Sequence, residues 1–159
     1  MRALSNVRRN VSDDMLLALR ENRGVIGINF GEGFVNPKDA AALRSATESE
    51  SNSPPATGKA LDECSVAHIQ KLLGPRVAVA ATVEDVADHI DHAVLIAGID
   101  CVGIGSDWDG VAGPPNGLED VSKMPALIAV LLRRGYSESD VKKILGENFL
   151  RVIREVIGS

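Results

Sequence analysis

Two short runs constrain this chain most: Gly24-Val25-Ile26-Gly27-Ile28-Asn29-Phe30 and Cys101-Val102-Gly103-Ile104-Gly105-Ser106-Asp107. Both are apolar and β-branched, bounded by turn signals, and read as buried strands. Each ends in a polar tip carrying glycine, Gly31-Glu32-Gly33 after the first and Trp108-Asp109-Gly110 after the second. Helical patterns separate and follow them. Ser12 or Asp13 caps an apolar pattern at Met15, Leu16, Leu17 and Leu19 that is predicted to end near Gly24. Thr82-Val83-Glu84-Asp85 is a capping box opening a helix that reaches Gly98. Strand, helix, strand, helix in this order predicts an α/β fold with parallel strands, because each intervening helix must cross back over the sheet.

Beyond the second strand, Pro125 suits a first helical turn and Gly135 a C-terminal cap, predicting a helix over 125–133. Ser137-Glu138-Ser139-Asp140 starts another, with Val141, Ile144, Leu145, Phe149, Val152 and Ile153 on one face. A weaker helical pattern covers Leu61 to Leu73 and stops at Gly74-Pro75. Residues 36–60 are rich in Ser, Glu, Asn, Pro and Ala and predict a flexible loop. Two strands leave edges unpaired and apolar surface uncovered, so the chain of 159 residues reads as a slice of something larger.

Aromatic residues make up 3% of the chain, so its core must come from Val, Ile, Leu and Ala, the composition of buried parallel sheets. A net charge of -5 offers no basic footprint for nucleic acid. No apolar run is long enough to span a bilayer and no leader opens the chain, which as written reads as soluble and cytoplasmic. Cys64 and Cys101 lack any CxxC spacing and read as buried structural thiols.

Asp107 sits where a parallel strand meets its loop, the end at which barrel enzymes place catalytic groups. Two readings stand on position alone: a general base, or an Asx turn that ends the strand. Arg9 before the first helix is either a solvated surface arginine or a fork for a carboxylate. Gly31-Glu32-Gly33 lacks the spacing of a phosphate cradle and reads as a tight turn. His89 and His92 stand three apart on a predicted helix. Histidine pairs at such spacing do bind metals, but this helix lies between two parallel strands and crosses over the sheet, away from the strand tips, so both read as packing or hydrogen-bonding groups, as does His68.

The stretches DVADHIDHAVLIAGIDCVGIGSDWDGV and GLEDVSKMPALIAVLLRRGYSESDVKKILGENFLRVI, preceded by VRRNVSDDMLLAL and GVIGINF, resemble the C-terminal part of the membrane (renal) dipeptidase family. The resemblance spans nearly the whole chain outside about 36–80. It implies a (β/α)8 TIM barrel, of which this chain supplies the last two strands and their helices. It implies zinc-dependent hydrolysis of dipeptides, with two zinc ions held by residues that would lie before Met1, so that no metal ligand is expected here. On the same ground Asp107 is the aspartate that takes a proton from the bridging water and passes it to the departing amine. Arg9 holds the terminal carboxylate of the dipeptide, Asp109 and Gly110 shape the supporting loop, and Asn148 ties the final helix to the barrel. Unaided water has a pKa of about 15.7 against about 7 on zinc, so the chain alone is expected to be inactive unless an N-terminal half completes it. Two alternatives remain open: a non-catalytic module that binds a second copy or a partner through its open edges, and a plain truncation.

Overall fold

The computed structural model describes residues 1–42, 45, 80–111 and 113–158. Helix α1 (Asp13–Glu21) begins where the Ser12 hydroxyl accepts the Met15 N–H, leaving one fewer unpaired donor in the first turn. It stops at Glu21, short of the expected Gly24. Arg23 takes the left-handed turn with φ 60, and the Gly24 N–H bonds back to Leu19 O.

Strands β1 (Ile26–Ile28) and β2 (Val102–Ile104) pair in parallel, with Ile26 opposite Val102, Gly27 opposite Gly103 and Ile28 opposite Ile104. The parallel pairing expected from the order of elements is therefore present, and among the described residues the sheet has two strands. Both strands are shorter than the apolar runs that announced them. Hydrogen bonds nevertheless continue past their ends, from Gly105 N–H to Ile28 O at 3.0 Å and from Phe30 N–H to Ser106 O at 2.9 Å. Ile28 and Val102 enter the hydrophobic core. Alternation along a strand puts Gly27 and Gly103 on the other face, where Phe149 packs against them. A Cβ at Gly103 would lie 2.2 Å from the Phe149 ring, so only glycine fits at this position.

Between the strands, Asp39 is buried and its carboxylate accepts the N–H groups of Ala80, at 2.9 Å, and Ala81, at 2.7 Å. Residues 37–42 are helical, which corrects the loop expected from residue 36 onward. The cause is local: Asn36 Oδ1 accepts the Lys38 N–H, and Pro37 occupies a first-turn position where its missing N–H costs nothing. The remainder of the loop, the helix expected over 61–73, Cys64 and His68 lie outside the described residues. Helix α2 (Glu32–Val35) also replaces the plain turn expected at Gly31-Glu32-Gly33.

Helix α3 (Val83–Ala97) has the capping box that the sequence announced, Thr82 and Asp85 satisfying each other's backbone N–H groups. Its inner face carries Val86, Ala87, Ile90, Ala93 and Ala97, and the alanines let it lie close to the sheet and to α1. Helix α4 (Met124–Arg133) starts with Pro125 in its first turn and leaves through Gly135 at φ 95. Arg134 at its end reaches Glu84 at 2.6 Å, Asp88 at 2.7 Å and Asp91 at 2.6 Å, all on one face of α3. Burial works against the Arg134 charge, but the carboxylates outweigh it and hold its pKa above the ordinary value.

The single final helix expected from the apolar pattern is instead two. Helix α5 (Glu138–Lys142) runs into a wide π turn over Lys143–Glu147, and α6 (Asn148–Ile157) follows. The turn has a use: it brings buried Asn148 onto the start of β2, where its amide donates to Ile99 O and Val102 O, each at 2.8 Å. No helix among the described residues is long and apolar enough to cross a membrane.

Candidate active site

The strand tips place Asn29 and Asp107 side by side. Asn29 Nδ2 donates to Asp107 Oδ2 at 2.8 Å, while Asn29 Oδ1 accepts the Gly31 N–H at 2.6 Å. Asp107 has φ 70, in the left-handed region, where aspartate is among the few residues tolerated without glycine. Its carbonyl accepts the Gly110 N–H at 3.0 Å, closing a turn. A Cβ at Gly110 would lie 2.3 Å from Asp107 Oδ1, so this glycine keeps space beside the second carboxylate oxygen. The strand thus ends in a turn closed by the main chain and not in the Asx turn that position alone allowed: among the described residues the Asp107 carboxylate accepts from Asn29 and takes no part in the turn.

Trp108 secures the loop from behind. Its indole N–H donates to Leu118 O at 2.8 Å and its ring meets Phe30 edge to face, with centroids 5.4 Å apart. Asp109 is exposed, with no hydrogen bond among the described residues. Glu32 follows immediately at the start of α2, where burial pushes its carboxyl up against the opposing backbone hydrogen bonds of its own and Gly113's N–H.

Arg9 is exposed and lies over the Phe34 ring, 4.7 Å from its centroid. No acid pairs with it among the described residues. It shares with Asn10, Asn29 and Phe34 the wall of a cavity of about 130 Å³, small beside the roughly 300–1,000 Å³ of ordinary ligand sites. That space admits a carboxylate-sized group. Asn29 therefore joins the two residues the sequence singled out: it bonds Asp107 and borders the cavity of Arg9. Sequence reasoning missed it, because it sits inside an apolar run between Ile28 and Phe30.

The two histidines of α3 diverge. His89 is buried, its Nε2 on Val35 O at 3.0 Å and its Nδ1 against the Met1 amine, while His92 Nε2 meets Asp13 Oδ1 at 2.7 Å. Burial first, then the neighbouring amine charge, lowers the His89 pKa to about 4. Among the described residues no group of three or more His, Cys, Asp or Glu side chains could hold a metal ion.

A family-wide match decides the relationship. Residues 1–158 match the membrane dipeptidase family, peptidase family M19. The chain belongs to the membrane dipeptidase family. Two curated relatives in this family are dipeptidase tcpJ of Claviceps purpurea, 36% identical over 93% of this chain, and dipeptidase aclJ of Aspergillus oryzae, 36% identical over 97%. The chain spans only 26% and 28% of their lengths. Among solved structures, it resembles the metallopeptidase dipeptidase AC with a TM-score of 0.71 and 27% identity, over 99% of this chain and 36% of that one. A metallopeptidase from Rhodobacter sphaeroides, solved with a phosphinate mimic of the dipeptide L-Ala-D-Ala, gives 0.66 and 29% over 96% of this chain and 33% of its own. Membrane dipeptidase membership thus brings dipeptidase-type hydrolysis as the family activity.

Proposed function

We propose that this chain is the C-terminal part of a (β/α)8-barrel dipeptidase that hydrolyses dipeptides with a pair of zinc ions, and that it is inactive by itself. The observation that carries the reading is the Asn29-held carboxylate of Asp107 at the joined tips of two parallel strands, in a chain of the membrane dipeptidase family. The described residues do not fit a metal centre, so the roles proposed here are those of this chain's side chains alone.

Asp107 carries the proton. Its Oδ2 is tied by Asn29 and its Oδ1 faces the space left by Gly110, which suits one oxygen to accept a proton from the attacking water and return it to the leaving amine. Arg9, which pairs with no acid among the described residues and is braced on Phe34 beside the small cavity, grips the terminal carboxylate of the dipeptide through two parallel hydrogen bonds. Gly110 shapes the loop by leaving room for Asp107 Oδ1, with Asp109 beside it at the exposed edge.

Turnover of a dipeptide by the purified chain alone, beside the chain produced together with the segment its longer relatives carry, tests the reading. Hydrolysis abolished by chelator in the second sample and absent from the first is expected. Chelator-sensitive hydrolysis by the isolated chain, with zinc found by elemental analysis, would sink the claim of inactivity.

A second reading rests on the exposed apolar face of α6, where Leu150, Ile153, Val156 and Ile157 face solvent beside a sheet that holds two strands among the described residues. Such a face and such edges call for more protein: the rest of the barrel, or a second copy of this chain. Mass in solution of the chain produced together with the segment its longer relatives carry separates the two: one copy of each supports the first, two or more copies of this chain the second.

A further inference from the structure

We propose that Asn29 is a positioning residue for the proton-carrying oxygen of Asp107, an inference that rests on the catalytic reading of Asp107. Its amide has one orientation available. The Gly31 N–H occupies Asn29 Oδ1 at 2.6 Å, so the NH2 end must face Asp107, and it donates to Oδ2 at 2.8 Å. A flipped amide would set N–H against N–H at Gly31 and oxygen against oxygen at Asp107.

The two carboxylate oxygens thereby become unequal. Oδ2 spends its best acceptor direction on Asn29, while Oδ1 has no partner among the described residues and lies where any side chain at residue 110 would collide with it, at 2.3 Å for a Cβ. Oδ1 is the oxygen left for the transferred proton. The backbone adds a second constraint: Asp107 stands at φ 70, outside the conformations most residues prefer, and the bond to the neighbouring strand tip holds it there. Asn29 thus sets the direction of a side chain 78 residues away without itself touching the reacting atoms.

Asn29→Asp is the informative variant, because it keeps the shape and the acceptor for Gly31 but replaces the donor with a repelling carboxylate. Asn29→Ala removes both interactions, and Asp107→Asn serves as the reference. In the isolated chain, the Asp107 HN–Hα coupling and the Gly31 amide shift report the geometry by NMR. In the complete enzyme, steady-state kinetics separate kcat from KM. Asn29→Asp and Asn29→Ala are expected to move the Asp107 coupling away from its left-handed value, and Asn29→Asp to lower kcat by about 10–100-fold with KM nearly unchanged, the scale typical of residues that orient a working group. Unaltered Asp107 geometry in both Asn29 variants overturns the inference without any assay of activity. If Asp107→Asn loses kcat and Asn29→Asp does not, or if Asn29→Asp raises KM alone, the positioning role fails while the catalytic reading of Asp107 stands. Full activity in Asp107→Asn removes the catalytic reading and this inference together.

Discussion

A single carboxylate at a strand tip does its work only if the residues around it fix where its two oxygens point. Gly110 is the simplest probe of that arrangement. Gly110→Ala puts a methyl against Asp107 Oδ1 and is expected to lower kcat of the complete enzyme by about 10–100-fold, since a misplacement of about 1 Å can cost that much. Unchanged kcat would show that the carboxylate has room to move. His89 provides a prediction of a different kind. Its folded pKa is lowered to about 4 from 6.5, chiefly by burial, so as pH falls the unfolded chain binds the proton first. The Met1 amine, lowered by burial to about 5 from 8.0, acts in the same sense at higher pH. Stability is thus present above the unfolded values and lost as pH drops toward the folded ones. Urea unfolding at pH 7 and at pH 5 should show His89 contributing a loss of about 2 kcal/mol, at roughly 1.4 kcal/mol per pH unit, and His89→Gln should remove that share of the difference while leaving the share of the Met1 amine. At this scale the place of Asp107 at a strand tip was legible in the sequence, because the apolar run of the second strand ends there. Asn29 was not, since its partner is 78 residues distant and its neighbours in sequence are Ile28 and Phe30.

Elements announced by local chemistry were read correctly. The Thr82 and Asp85 box, the Ser12 cap, Pro125 in a first turn and Gly135 after a last one each act within a few residues, and each stands where the sequence placed it. Thr82→Ala is expected to cost about 1 kcal/mol of stability, the usual value of a cap. What escaped was set by tertiary packing. The π turn over Lys143–Glu147 exists so that Asn148 and Phe149 can meet the start of β2, and an apolar pattern that runs through it carries no sign of the break. Polar composition likewise hid the helical start at 37–42, although Asn36-Pro37 is itself a helix-opening signal. Gly103→Ala drives a methyl into the Phe149 ring, and a loss of about 1–3 kcal/mol is expected from such overpacking. Thermal unfolding measures it, and Gly103→Ala combined with Phe149→Leu should recover part of the loss.

For the whole molecule, parallel strands and covering helices were legible because element order alone dictates them, and among the described residues the sheet holds the two strands that the sequence announced. The exposed apolar row on α6, with Val156 and Ile157 each 79% exposed, makes self-association of the isolated chain the expected outcome. Sedimentation should show a mass that rises with concentration, and Ile153→Glu with Ile157→Glu should return it to the monomer. Asp107 is the residue on which the proposed hydrolysis depends most. Its most direct test is the kcat for dipeptide hydrolysis of the complete enzyme with Asp107→Asn, a change that keeps the shape of the side chain and removes its ability to carry a proton. A fall of about 100–10,000-fold, the range of general acid–base catalysis, is the expected result; a kcat within a few fold of the unaltered enzyme would contradict the account.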